Sequence, residues 1–543
     1  MMTQKNSQLL AGAPRRVWWR IDGWSAGALV IAAVVVAPML SVLWIAFHPT
    51  ENIWPHLMAT VLPRYFWATL RLMIGVGVLA AAMGTGAAWL TVMFRFPGSQ
   101  KLDYALLFPL AIPAYVGAYA LVDFLDYSGP LQTWMRGAMG WHDARDYWFP
   151  DIHSEAAAII VLAAAFYPYV YLLTRSALRE QSGASYEVAR ALGLGPAAMF
   201  WRLGLPLVRP AIAAGVALAM METVADYGTV ATFGVQTLTT GVFSTWLNGG
   251  NAGGAAQIAV VILVMVLVLL LVERQGRRNA RFHRPSRAQR PVAPIRLTGW
   301  KAAIALALCL VPFGLGFVLP VAVLTGHAVA NPMVWLAPGL AQAAANTVLV
   351  GGIAALITVS AALFLVYGVR MAGRNLARLV LPVTSLGYAA PGAVLAVGLL
   401  IPLAALDHRV ADAVLSITGH DPGLILTGTS AAIILAYVVR FFGIAQGAVD
   451  AAFGRISPSL PMAARSLGRG VGGTLRSVYL PLMRGSVASA MLVVFVDCVK
   501  ELPATLLLRP FNFNTLSTRV YELASLERIG EAAPAALVVV ALG

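Results

Sequence analysis

The stretch Glu187-Val188-Ala189-Arg190-Ala191-Leu192-Gly193-Leu194-Gly195, followed by Leu203-Gly204-Leu205-Pro206 and Arg209, recurs 275 positions later. The second copy reads Met462-Ala463-Ala464-Arg465-Ser466-Leu467-Gly468-Arg469-Gly470, followed by Val478-Tyr479-Leu480-Pro481 and Arg484. Ala189/Ala464, Arg190/Arg465, Leu192/Leu467, both glycine pairs, the Leu-Pro pair and the last Arg all keep one offset. Each copy sits between long apolar runs. The pattern describes an all-α membrane protein of two related halves.

Composition points the same way: 59% of residues are apolar and 11% charged, against about 25% charged in soluble domains. A bilayer-spanning helix needs roughly 20 apolar residues. Suitable runs fall at 24–47, 66–94, 104–122, 156–174, 210–231 and 255–272, then at 301–324, 342–368, 378–403, 428–448 and 485–508. A twelfth starts near 531 and reaches Gly543 after about a dozen residues, too few to cross alone. Either the chain continues or this last helix is stunted. The expected architecture is about twelve spans in two six-helix halves.

The net charge of +15 is spread by membrane side rather than gathered into a nucleic-acid patch. Arg15, Arg16 and Arg20 precede the first run, and eight arginines from Arg274 to Arg296 occupy the mid-chain linker without an acid among them. Arg175, Arg179, Arg190, Arg202 and Arg209 sit in one motif loop, and Arg455, Arg465, Arg469, Arg476 and Arg484 in the other. Segment 123–155 instead carries six acids against Arg136 and Arg145. By the positive-inside rule both termini, the linker and both motif loops are cytoplasmic. The first apolar run is too long for a signal peptide and lacks a small-residue cleavage site, so it reads as a retained anchor. Cys309 and Cys498 fall in apolar runs, which argues against a disulfide framework or a metal site.

The domain boundaries follow: a first repeat at 1–273, an Arg- and Pro-rich cytosolic linker at 274–296, and a second repeat at 297–543. Ala68-Thr69-Leu70 matches Asn346-Thr347-Val348, and Leu107-Phe108-Pro109 resembles Val380-Leu381-Pro382. Six spans per half make the repeats parallel, which places a pathway between them. Gly75, Gly77, Gly84 and Gly86 read as small-residue packing positions.

Within each motif loop a short helix is expected at 182–192 and 458–467. Gly193 and Gly468 stand where a positive-φ residue would end it. Gly195 and Gly470 loosen the turn, and proline interrupts the next helix. Ala189 and Ala464 are expected to keep one face shallow for a partner's groove, with Arg190 and Arg465 offering forked donors to that partner. Glu187 can accept charge-assisted bonds where Met462 offers only apolar contact.

On these residues the chain resembles the permeases of ABC importers. Glu-Ala-Ala, three residues, Gly, about nine residues and an apolar residue–x–Leu-Pro is similar to their coupling loop, which docks into a cleft on the ATPase subunit. Val188 departs from the pattern in copy one, and Met462 replaces its Glu in copy two. The resemblance implies a type I importer permease fold and two ATP-binding cassette subunits, which use ATP and Mg; this chain itself is expected to bind no cofactor. Lys occurs only at 5, 101, 301 and 500, never as Gly-Lys-Ser/Thr, so no ATPase motif is present.

Late in the fifth span of each half come ionisable residues at one offset: Glu222 with Asp497, and Asp226 with Glu501, joined by Lys500. Charges at such depth are expensive and usually face a bundle interior or an aqueous path. Each acidic pair is spaced to share one helix face. Pathway lining is preferred to metal ligation, since a tight site would slow release. The competing structural reading has Lys500 neutralising its neighbours and the carboxylates bonding freed backbone near Gly228 and Pro503. The stretches Glu222 to Val230, Phe233 to Phe243, Lys500 to Phe511 and Thr515 to Glu522 resemble the fused permeases of ferric-iron ABC importers. That resemblance implies a periplasmic iron-binding protein as donor and a bacterial inner membrane location. Related fused permeases carry thiamine or aminophosphonates. An ion-coupled secondary transporter would not need twin docking loops. A membrane enzyme lacks support, with eight His mostly in loops and no His-Glu-x-x-His.

Overall fold

Apolar helices of 24 to 32 residues dominate the computed structural model, which describes residues 23–278, 292–372 and 374–543. Long helices are the expected solution in lipid, because every backbone donor and acceptor must be satisfied within the segment. Among the described residues ten helices are long and apolar enough to cross: Gly23–Phe47, Leu62–Met93, Glu155–Arg179, Pro196–Ala225, Ala252–Gln275, Gly299–Ala330, Leu340–Met371, Gly392–Thr418, Ala431–Gly454 and Val471–Lys500. A bent pair and the shorter Ile529–Leu542 complete the set of about twelve.

Four expected spans differ. The run at 104–122 is broken by 94° between Ser99–Ala111 and Ala114–Met139. Pro113 lies at that break, where it brings no N–H and holds Ile112 extended. In the second half, 378–403 splits in the same way at Pro391, between Arg374–Thr384 and Gly392–Thr418. Pro382 lies inside a helix, whereas Pro109 lies in a 3₁₀ turn. The pairing of Pro109 with Pro382 therefore fails, and Pro113 with Pro391 replaces it. The fifth span of each half stops at Ala225 and Lys500 rather than continuing to 231 and 508.

The halves exchange their first helices. Ala28 and Val35 of Gly23–Phe47 belong to a core with Val350, Leu365 and Phe442 of the second half, and Trp24 stacks on Phe364 at 4.9 Å. Reciprocally, Ala302, Ala305 and Cys309 pack with Trp89 and Tyr167 of the first half. Only 22% of the first helix's most apolar window is buried, against 61% for Ala431–Gly454. The exchanged arm is thus peripheral and Ala431–Gly454 central. Gly75, Gly77 and Gly84 each meet a neighbouring helix so closely that a Cβ would press on it, while Gly86 faces open space.

The helix Ala252–Arg278 runs on into the Arg-rich segment. At the far end of that segment, Ile295–Arg296 pairs in parallel with Phe94–Arg95, and the Leu297 N–H donates to the Arg95 carbonyl at 2.8 Å. Arg15, Arg16, Arg20, Arg281, Arg284, Arg287, Arg290, Pro285 and Pro291 lie outside the described residues.

Candidate functional site

The two motif loops have one backbone. Helices Gly183–Ala191 and Ser459–Ser466 end in Gly193 and Gly468, both at φ +79°. Behind each end, Leu194 N–H bonds the Ala189 carbonyl and Arg469 N–H the Ala464 carbonyl, both at 3.0 Å. This reach from past the helix end to its last turn satisfies otherwise orphaned carbonyls. Gly195 and Gly470 are extended and open the next helices, Pro196–Met199 and Val471–Thr474, so they act as N-cap positions rather than loosening a turn. A π-helical turn follows in each copy, Phe200–Gly204 and Leu475–Tyr479.

The side chains depart from expectation. Ala189 is buried beside Tyr186 and Met199, so it faces the protein and not a partner, whereas Ala464 is only half-buried. Their small size lets the loop helix seat on its own bundle. Arg190 Nη2 donates to the Ala293 carbonyl at 3.2 Å, tying the loop to the linker. Arg465 lies on Met371 Sδ at 2.8 Å. Outward instead point Glu187, Val188 and Leu192 in copy one, and Met462, Ala463 and Leu467 in copy two; Leu192 is 77% exposed and Leu467 84%. The shared Leu192/Leu467 offset was the available signal for that face.

At the far ends of the helices that leave these loops, Glu222, Asp226, Asp497, Lys500 and Glu501 line one cavity of about 130 Å³ between the halves. Tyr115, Tyr169, Tyr227, Tyr388 and Arg440 join them. Asp226 and Glu501 are not on a continuous helix face with Glu222 and Asp497: each is the first extended residue beyond its helix. Asp226 turns to cap Gly228–Thr232, accepting from Thr229 N at 2.9 Å, Thr229 Oγ1 at 3.0 Å and Val230 N at 3.3 Å. Glu501 caps Pro503–Leu508 in the same manner, accepting from Ala504 N at 3.0 Å. Both carboxylates therefore hold backbone and line the cavity at once.

Two of the remaining bonds cross between halves, and two ion pairs stay within the second. Tyr388 Oη donates to Glu222 at 3.1 Å, and Lys500 Nζ donates to the Leu110 carbonyl at 2.8 Å. Lys500 stands 3.7 Å from Asp497. Glu501 is paired with Arg440 at 3.3 Å rather than with Lys500. Arg440 is the residue sequence reasoning passed over, although an arginine within the run Ala431 to Gln446 is itself a membrane-depth signal. Among the described residues no group of three or more His, Cys, Asp or Glu is placed to hold a metal ion.

Around this cavity the second resembling stretch of each half forms a brace. Thr237 and Thr515 each build a capping box with Thr240 and Thr518. The Leu238 and Leu516 N–H groups donate to Thr69 and Thr347 at 2.9 and 2.8 Å. Thr239 and Ser517 hydroxyls bond the Val224 and Val499 carbonyls at 2.6 and 2.5 Å. These contacts fix the broken end of each fifth span beside the cavity.

The class these features describe is a multi-pass membrane protein with swapped arms, a charged cavity between pseudo-equivalent halves and twin exposed loops. Residues 73–281 match the family described as "Binding-protein-dependent transport system inner membrane component". The chain is similar to the Fe(3+)-transport system permease protein FbpB 2 of Haemophilus influenzae, 27% identical over 479 residues, covering 87% of this chain and 86% of that one. It is also similar to the molybdenum transport system permease protein ModB of Escherichia coli K12, 28% identical over 205 residues, which is 35% of this chain and 85% of the relative. The sulfate transport system permease protein CysW of the same organism is 27% identical over 207 residues, 38% of this chain and 67% of the relative. The similarity to the iron-transport permease runs through both halves, whereas the match to the family lies almost wholly in the first.

Proposed function

We propose that this permease is the translocation subunit of an ATP-driven importer that takes up ferric iron. Iron stands in the name of the relative similar along 87% of this chain, and the cavity supplies a matching chemistry. Four carboxylates and four phenols around about 130 Å³ leave room for an ion and a few waters. Hard cations prefer such oxygen donors. The cavity between the halves is the observation that carries the reading. A periplasmic binding protein delivers the cargo at the face away from the motif loops. Two ATPase subunits, which hold ATP and Mg, dock on the loops at Glu187, Val188 and Leu192 and at Met462, Ala463 and Leu467. Ala189, Arg190, Gly193, Gly195, Ala464, Arg465, Gly468 and Gly470 shape those loops from within. The basic loop side and the N-terminus are cytoplasmic, following the charge asymmetry.

Reconstitution with the ATPase and binding-protein candidates, followed by uptake of ferric iron in competition with thiamine and an aminophosphonate, tests this. Ferric uptake that needs ATP and is insensitive to both organic competitors is expected. ATP-dependent uptake of either organic cargo, without iron uptake, would replace the substrate and keep the class. Cargo movement driven by an ion gradient without ATPase partners would overturn the class.

A further inference from the structure

The cavity is built from matched positions of the two halves, and its charge is not matched. At the one offset of 275, Glu222 corresponds to Asp497 and Asp226 to Glu501, and all four line the cavity. At that same offset Arg440 corresponds to Ala165, and Lys500 to Ala225; all four line the cavity. Each half thus contributes two acids, and only the second contributes cations. Neither cation is fully docked. Arg440 Nη1 lies 3.3 Å from Glu501 Oε1 but makes no hydrogen bond, and Glu501 Oε2, on a side chain 1% exposed, has no partner among the described residues. Lys500 spends its short bond on a backbone carbonyl and stands 3.7 Å from Asp497. A Cβ at Gly392 would strike both Glu501 Oε1 and Arg440 Nη1, so the chain leaves space for this pair where the first half has Ala114.

We infer that Arg440 is a specificity-determining residue, a tethered counter-cation that occupies the acidic cavity until a cargo cation of higher charge displaces it from Glu501. Lys500 assists at Asp497. The inference rests on the cationic-cargo reading above. Buried carboxylates without counter-charge would hold a trivalent ion too tightly to release it. A tethered guanidinium competes for the same oxygens, so it excludes weakly charged ions and pushes the cargo onward once the cavity opens.

The test uses the permease assembled with its ATPases in detergent, with Tb³⁺ as probe because nearby tyrosines sensitise its emission. Removing a cation within about 4–6 Å of a carboxylate changes its charge affinity by roughly tenfold or more. Arg440→Gln should therefore half-saturate at about tenfold lower Tb³⁺, while Arg440→Lys stays near wild type. Lys500→Gln, at a half-exposed position, should tighten binding by a smaller factor. Arg440→Gln with Glu501→Gln should return to wild-type affinity. In vesicles Arg440→Gln should lower both KM and the maximal rate of ferric uptake. Unchanged Tb³⁺ half-saturation in Arg440→Gln, or in Lys500→Gln should Arg440→Gln not fold, overturns the inference. So does an Arg440→Lys variant as defective as Arg440→Gln, which would mark a packing role. Tightened Tb³⁺ binding in a complex whose wild type takes up no iron would sink the iron reading and leave this inference standing.

Discussion

Set side by side, the two halves agree in backbone and disagree in charge. Both loop glycines sit at φ +79°, both loops pass through a π-helical turn, and Thr69 and Thr347 brace the same position of the capping boxes. At the cavity, Ala165 and Ala225 answer Arg440 and Lys500, and on the loops Glu187 answers Met462. Shared backbone is what two halves need if they are to move alike under two equivalent ATPases. Unequal side chains are what a single cargo needs, because an ion between the halves meets one combined field and not two copies of one. On the proposed function, the comparison separates the loops that would transmit motion from the cavity that would read the cargo.

The strongest way to break it is at the caps. Glu501→Ala leaves Arg440 buried without its partner, which typically costs about 3–5 kcal/mol. Asp226→Ala removes a cap that has no ion pair among the described residues, at about 1–2 kcal/mol. Folded yield in detergent should therefore fall far more for Glu501→Ala, and Arg440→Met added to it should recover most of the loss. Equal loss from the two single variants would mean that the charge asymmetry has no energetic content.

The loop glycines should show the opposite, an equality. A Cβ added at either would meet nothing within 4 Å, so strain there is conformational alone. A β-branched residue at positive φ costs about 1–2 kcal/mol, near tenfold, and two distant sites add. Gly193→Val and Gly468→Val should each slow uptake about tenfold and together about a hundredfold, with insertion intact. ATPase association and transport measured on one preparation decide it; a normal double variant would remove the coupling assignment.

Much of this was legible in sequence because it repeats. A fixed offset exposed the loops, the positive-φ glycines and the four acids. Hydropathy could not show the breaks at Pro113 and Pro391, since both arms of each bend are apolar. It also hid Arg440, one charge in a long apolar run. Ala189 was misread because shallow helix faces suit a partner and the protein's own bundle equally well, and only Tyr186 and Met199 packed beside it decide between them. Arg190 reaches Ala293, over a hundred positions away, a tertiary contact that no local pattern encodes.

A smaller effect is expected at Tyr388, whose hydroxyl reaches Glu222 from the other half at 3.1 Å. Its counterpart by the offset of the Pro113–Pro391 pair is Leu110, which offers only a backbone carbonyl. A hydrogen bond to a charged group contributes about 1.5–3 kcal/mol. Tyr388→Phe should reduce uptake by about tenfold while Leu110→Ala, which keeps its carbonyl, should change it little. The reverse ranking would show that the cross-half bonds do not position the acids.

The smallest effect belongs to the loop surface, where Glu187 and Met462 are both exposed. An exposed charge pairing with a docked ATPase gains about 0.2–1 kcal/mol and is screened by salt. A methionine at the same position contributes by apolar contact, which salt does not screen. Glu187→Ala should therefore weaken ATPase association by about two- to fivefold at low ionic strength and less at high ionic strength. Met462→Ala should weaken it by a similar or smaller factor at both. The salt dependence, not the size, carries the distinction: if both variants respond to salt alike, the two docking sites are equivalent and the asymmetry of this permease is confined to the cavity. If neither variant changes association at any salt, this position is not a contact, and the docking face narrows to Leu192 and Leu467, which point outward in both copies.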